Sequence, residues 1–363
     1  MIKRGNKSTL QDVATEAGVS CMVASVVLNG ARSTTRVSEA TRERIVEAGV
    51  RLQYRRNAAA FGLSRRKMDT IGVVATFDGG EVNLYVLELL NGVLESAAEY
   101  GQNTTVFAIK NWRNEENRLL EFCDGRIDGM ILIAPALSAE VAEQLPHHTP
   151  LVTINSDGVI PYAHNLDVDN EDGAYKAVKH LLNLGHRRIL HISGGSDIAG
   201  SIRRTEGYAR AHREFGVPID PTHIVHGTYS EFAGRRMMTD WLARGHTLPT
   251  AIFCASDAIA TGAMSVLAAN GISIPQDISV IGFDDTLIAR TTSPPLTTVR
   301  QPFREMGRRS VVLVLEQIKS DASPVPDEER SEAPGPASEG VMHTDEFPAE
   351  LVIRQSAGPP RAA

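Results

Sequence analysis

The segment Thr9-Leu10-Gln11-Asp12-Val13-Ala14-Thr15-Glu16-Ala17-Gly18-Val19-Ser20, running on to Val27-Leu28-Asn29-Gly30, carries two helix signals in succession. Thr9 stands where an N-cap belongs, and Asp12 three residues later can answer it in a capping box. Val13, Ala14 and Ala17 then share one helical face. Gly18 permits a sharp turn, and Ser20 can cap a second helix in which Ala24, Val27 and Leu28 face the first. Two short helices joined by so tight a turn predict a helix-turn-helix, whose second helix lies in the DNA major groove. An ordinary helical hairpin is the competing reading, and the rest of the chain speaks against it.

Charge is the first witness. The 363 residues carry a formal net charge of −7, but through Met68 there are 13 Lys and Arg against 5 Asp and Glu, and beyond it 24 against 39. A basic end suited to phosphate precedes a large acidic body that is not. The length implies two or three domains, and 42% hydrophobic with 22% charged residues is ordinary for a globular protein. Cys21, Cys123 and Cys254 are widely spaced and form no metal or redox motif, which fits a reducing cytoplasm. No apolar core follows the basic N-terminus and no stretch is long enough to cross a membrane, so a cytoplasmic protein is expected.

Outward from the first segment, Met1 to Ser8 is a basic arm, and Asn29 to Val37 a polar loop holding Arg32 and Arg36. Ser38 can cap a third helix from Glu39 to about Gln53, with Ile45, Val46 and Leu52 inward. Gly49 inside it should cost about 1 kcal/mol relative to Ala. Residues 54–67 are Ala-rich and dense in Arg, and too few to be a stable helix alone in water, so they should order only when docked.

From Thr70 buried-strand runs alternate with helical stretches, the pattern of a parallel sheet with crossover helices. Strands are expected at 71–76, 104–109, 129–133 and 151–154. A second series begins near Leu166 with a helix at 173–184 and strands at 189–192, 223–225, 251–254 and 279–283. Residues 321–345 are rich in Pro and acid and poor in apolar side chains, which predicts a disordered surface insertion.

The order of these features resembles the lactose-repressor (LacI/GalR) family of bacterial transcription regulators. The resemblance rests on Leu10-Gln11-Asp12-Val13-Ala14, Ala17-Gly18-Val19-Ser20, Val27-Leu28-Asn29-Gly30, Val37-Ser38 with Thr41-Arg42-Glu43-Arg44, and Tyr54-Arg55 with Asn57-Ala58-Ala59-Ala60. It covers nearly the whole chain. It implies a helix-turn-helix headpiece (1–53), a hinge segment (54–69), and a two-lobed α/β body with parallel sheets, like periplasmic binding proteins (70–356). The first lobe would comprise about 70–166 and 294–319, the second about 167–293 and 346–356.

By position, the resemblance assigns base reading to Cys21, Met22 and Val26. These depart from the family's polar choices and, unlike Arg or Gln, can only pack against thymine methyls. Thr9, Ser20, Asn29, Arg32, Arg36, Ser38, Tyr54 and Asn57 become candidates for DNA backbone and register. In the hinge, Leu63 matches the leucine that wedges a minor-groove step, and Ala60 the small residue where two hinges approach. Arg56 stands where the family usually has Pro. Two half-sites in a pseudo-palindromic operator call for a homodimer.

Parallel-sheet proteins bind ligands beyond the carboxyl ends of their strands. Phe77 and Asp78 follow the first strand, Asn83 and Tyr85 open the next helix, Asn155 follows Ile154, and Asp284 and Asp285 follow Gly282-Phe283. The resemblance adds Arg204 and Asp257 as ligand contacts, and Tyr229 could stack on a sugar face. One Arg fork with acidic acceptors suits a sugar effector, and a purine or other metabolite is the alternative. A regulator without an effector remains a further alternative. A secreted sugar-binding protein would need a signal peptide in place of the basic headpiece. No catalytic constellation, metal-ligand spacing or cofactor fingerprint is present: His147-His148 stand without further ligands, and Ser193-Gly194-Gly195-Ser196 is not a phosphate loop.

Overall fold

The structure, a computed structural model, describes residues 7–30, 36–65, 67–77, 83–321 and 344–361. The chain divides into two compact units, Met1–Asp69 and Thr70–Ala363.

The first unit is helical: α1 Leu10–Ala17, α2 Cys21–Asn29, α3 Glu39–Arg51 and α4 Ala58–Arg65. Thr9 and Asp12 form the reciprocal capping box, and Gly18 ends α1 at φ 64, a left-handed conformation in which glycine has no Cβ to clash. Val13, Ala14, Ala17, Ala24, Ile45 and Ala48 are the buried core, with Val27, Leu28, Leu52 and Tyr54 packed around it. Two expectations for α3 are corrected. Val46 is 45% exposed and Ala48 takes its inward place. The helix stops at Arg51 because Gln53 turns to φ 51.

The second unit begins with β1 Thr70–Thr76, α5 Leu84–Glu99, β2 Asn103–Ile109, α6 Trp112–Glu115, α7 Arg118–Phe122, β3 Gly129–Ile133, α8 Ala139–Gln144, β4 Leu151–Ile154 and β5 His164–Val168. It continues with α9 Asn170–Asn183, β6 Ile189–Ser193, α10 Ala199–Glu214, β7 Ile224–His226, α11 Glu231–Ala243, β8 Ala251–Cys254, α12 Asp257–Ala269, β9 Ser279–Ile281 and α13 Leu287–Thr291. β10 Thr298–Arg300, α14 Phe303–Asp321, β11 Thr344–Phe347 and β12 Glu350–Val352 complete it.

Two sheets result, one per lobe, in the strand orders β11-β5-β4-β3-β1-β2 and β7-β6-β8-β9. Every pairing within them is parallel, so each sheet gathers its strands' carboxyl ends along one edge. β10 and β12 form a separate antiparallel pair. Apolar strands such as Gly129–Ile133 are buried throughout, as a sheet covered on both faces requires.

Strand β11 was not expected. Thr344 pairs with Asn165 and Phe347 with Val168, so residues 344–347 join the first sheet. Three boundaries change as a result. Asp321 closes α14 rather than opening an insertion, Thr344 and Asp345 begin a strand, and Glu346 and Phe347 stay with the first lobe instead of the second. The intervening residues 322–343, on which the expectation of disorder fell, lie outside the described residues.

The lobes also touch through side chains. Asp157, after β4, accepts a hydrogen bond from the Ala199 N–H at the start of α10, and Arg113 of α6 pairs with Asp197. Among the described residues no helix is long and apolar enough to cross a membrane.

Candidate functional site

In the first unit, Ser20 caps α2, accepting from Val23 N–H at 3.3 Å. The helix offers few polar groups: Met22 is 65% exposed, while Cys21 and Val26 are half-buried. Thr9 and Ser38 serve as caps of α1 and α3, Tyr54 packs on the core, and Arg36 is exposed. Asn29 donates to Ser25 Oγ at 3.4 Å and its Oδ1 is buried without a partner among the described residues. Asn57 accepts from Ala60 N–H at 3.3 Å and so starts α4. On that helix Ala60 is exposed and Leu63 is 80% exposed. Among the described residues Leu63 is packed into none of the hydrophobic cores. Arg32 lies outside the described residues, as does Asp78 of the second unit.

In the second unit, a polar cluster spans the two lobes beyond the strand ends. Arg204 is buried on α10. Its Nε–H donates to Asn170 Oδ1 at 2.8 Å, a second N–H donates to the Ala255 carbonyl, and its guanidinium lies 3.8 Å over the Phe283 ring. Asp284 Oδ1 is 4.0 Å from it and accepts from Gln301 Nε2 at 2.7 Å. Burial pushes the Asp284 carboxyl up to about 6, and Arg204 holds it back from rising further. From the first lobe, Asn155 Nδ2 donates to the Tyr85 hydroxyl at 2.9 Å. Burial raises the Tyr85 pKa, and Asp167, Asp284 and Arg204 all lie near enough to act on it electrostatically. Two buried amide oxygens, Asn155 Oδ1 and Gln301 Oε1, find no partner among the described residues.

The remaining expected residues fall differently. Phe77 packs against the first core, and Tyr229 hydrogen-bonds Ser201 Oγ at 2.6 Å with Arg204 5.7 Å over its ring. Asp257 is beside the cluster but already engaged: one oxygen accepts from Thr286 N–H at 2.8 Å and Thr286 Oγ at 3.1 Å, the other from the Thr298 hydroxyl. Burial, with Asp284 beside it, drives its pKa well up. Asp285 does not join the cluster at all. Its carboxylate is shared by Arg300 of β10 at 2.8 Å, by Arg354 of the C-terminal segment and, at 3.9 Å, by Arg290 of α13. Asn170, Asp167 and Gln301 are the members that sequence reading passed over. Asn170 and Gln301 carried only weak signals, as polar residues just after strands β5 and β10. Asp167 sits inside β5 and carried none.

Residues 9–57 match the family model described as "Bacterial regulatory proteins, lacI family", and residues 178–356 match a periplasmic binding protein-like domain. The HTH-type transcriptional repressor PurR of Vibrio atlanticus is 35% identical over 318 residues, covering 86% of this chain and 92% of that protein. The chain belongs to the lacI family. PurR of Vibrio vulnificus is 34% identical over the same share of both chains. Among solved structures, the lac repressor dimer bound to operator and the anti-inducer ONPF aligns with a TM-score of 0.79 at 25% identity, covering 97% of this chain and 100% of that one. A complex of the transcriptional regulator CelR with cellobiose aligns with a TM-score of 0.69 at 27% identity, covering 96% of this chain and 100% of that one. This lacI-family chain is a DNA-binding transcription regulator and not an enzyme.

Proposed function

We propose that the chain represses transcription as a homodimer on a pseudo-palindromic operator, under control of a small neutral sugar held between its lobes. Acting on DNA, it works in the cytoplasm. The observation that carries the effector reading is the inter-lobe cluster. It sets one guanidinium and one carboxylate beside two amide oxygens that lack partners, an excess of acceptors that a polyol's hydroxyls would satisfy. Tyr229 and Phe77, both half-buried, add apolar surface for a ring. A solved relative carries cellobiose, and the operator-bound lac repressor is a dimer, which support the same reading. Arg204, Asp284, Asn155 and Tyr85 are the contacts assigned first. Asp257 shapes the pocket wall through Thr286 and Thr298.

On the DNA side, Met22 with Cys21 and Val26 would read thymine methyls, Leu63 would wedge the central step, and Ser20, Asn29, Arg32, Arg36 and Ser38 would set register on phosphates. Thermal unfolding against sugars, sugar phosphates, nucleobases and nucleosides tests the effector class. At about 100 times its dissociation constant an effector adds about 2.7 kcal/mol, a shift of several degrees. A hit confined to nucleobases or nucleosides would replace the sugar with a purine-type effector.

A further inference from the structure

An open cleft of about 1400 Å³ lies within the first unit, between the end of α2 and α4. Ser25, Asn29, Arg56, Phe61 and Arg65 are among its walls. Its chemistry is organised on one ring. The Arg56 guanidinium lies 3.5 Å from the centre of Phe61, and the Arg65 guanidinium 5.1 Å from it. Such cation–π contacts hold a long side chain in one place while leaving the in-plane N–H groups open. Among the described residues Arg56 has no acidic partner. Arg65 makes an exposed pair with Asp69 at 3.2 Å, the kind of pair a phosphate readily displaces.

The geometry has a direction. Phe61 and Arg65, four residues apart, share a helical face, whereas Phe61 and Leu63, two apart, point about 200° away from each other. Leu63 therefore lies outside the cleft and the two arginines inside it. With α2 in a major groove, the part of a duplex that borders the recognition helix is its sugar-phosphate backbone, and the charge met there is one to which a guanidinium fork is matched.

We propose that Arg56 and Arg65, steadied by Phe61, grip the DNA phosphates that pass between the recognition helix and α4, with Phe61 as a positioning residue. This rests on reading α2 as the major-groove helix. The bracket also offsets a local weakness: α4 has eight residues, too few to persist in water unaided, and the stacked arginines brace it at both ends.

The test is the salt dependence of DNA binding by the full chain, on a short random duplex and on an operator selected with the wild-type protein. Arg56→Gln should flatten the slope of log K against log salt by about 0.9 on both duplexes, narrowing the affinity gap between about 50 and 200 mM salt roughly threefold. Arg65→Gln should do likewise. Phe61→Leu should weaken binding about two- to fivefold in the presence of both arginines and add nothing once Arg56→Gln and Arg65→Gln are both in place, while Phe61→Tyr behaves as wild type. A wild-type slope in Arg56→Gln overturns the phosphate grip. A further loss from Phe61→Leu on top of the Arg56→Gln, Arg65→Gln pair overturns the positioning role. Met22→Ala serves as the separate check on α2: it should weaken the operator alone and leave the slope intact. Failure of that check together with a flattened Arg56→Gln slope would remove the recognition-helix reading and keep the grip.

Discussion

At the scale of the residue, Asp284 shows most clearly how chemistry is placed. Its backbone sits at φ 126, a conformation costly for any side chain but glycine and tolerated where the surroundings over-determine it. The strain turns the carboxylate toward Arg204 and Gln301. Asp284→Asn keeps the shape and removes the charge, so it should weaken effector binding on the order of tenfold to a hundredfold, the worth of a hydrogen bond to a charged group. Wild-type affinity should itself fall as the pH drops below about 6 and the carboxyl takes up its proton. Calorimetric titration across that range reads both, and an Asn variant as tight as wild type would remove Asp284 from the site. A second residue, His191, makes a prediction for stability. It is fully buried between the Tyr208 and Phe253 rings, and its Nδ1–H donates to the Phe253 carbonyl at 3.1 Å. Burial lowers its pKa from 6.5 to about 4. The unfolded chain thus binds its proton first on acidification. Stability present above pH 6.5 is lost between 6.5 and 4, by about 3 kcal/mol from this group. Thermal unfolding at pH 7.5 and 4.5 should show that loss in wild type and a smaller one in His191→Phe.

Among elements, α10 is the one that joins the lobes. Its N-cap residue is Ile198, whose side chain makes no cap hydrogen bond, and the need is met from the other lobe by Asp157. A helix start tied across the cleft favours the arrangement in which both lobes face one ligand. Asp157→Ala should remove about 1 kcal/mol of that preference, the usual worth of a cap, and so weaken effector binding about fivefold. Adding Ile198→Ser would give α10 a cap of its own and restore its helix stability without restoring affinity. Recovery of affinity in the double variant would show that only local helix stability was at stake. Close packing of α5 on α14 allows a further prediction: a Cβ added at Gly92 would come within 2.1 Å of the Arg304 carbonyl, and one at Gly307 within 2.3 Å of the Leu89 carbonyl. Either Gly→Ala change should cost about 1–3 kcal/mol in denaturant unfolding, because backbone rather than a side-chain tip must move. These elements differ in how far the sequence announces them. The capping box of Thr9 and Asp12 and the apolar strands of both sheets are local patterns and were legible. In β11, Thr344 and Phe347 favour a strand but Asp345 and Glu346 do not, and so short a mixed segment pairs along the edge that β5 presents. Likewise Asp284 and Asp285 are adjacent and alike in sequence. Their separation into a carboxylate beside Arg204 and Gln301 and one held by Arg300 and Arg354 depends on partners distant in sequence, which local pattern cannot supply.

At the scale of the whole molecule, charge and core are divided along the same line. The unit Met1–Asp69 carries its own small core and an excess of basic residues, 13 against 5 acidic through Met68, whereas beyond Met68 the chain holds 39 acidic against 24 basic ones. Each should therefore keep its own function when separated. A fragment spanning 70–363 contains the cores of both lobes and the whole inter-lobe cluster, so its thermal midpoint and effector-induced shift should match those of the intact protein. Its excess of acidic charge should leave it without measurable affinity for duplex DNA even at about 50 mM salt, where electrostatic attraction is strongest. The complementary fragment, 1–69, should retain a salt-dependent affinity for any duplex but lose discrimination, because a single headpiece reads one half-site and lacks the partner that the body supplies. DNA binding by the body alone, or a body that no longer answers the effector, would show that the two activities are not partitioned as charge and core suggest. Retention of full operator affinity by the headpiece fragment would show instead that pairing of two chains contributes nothing to recognition.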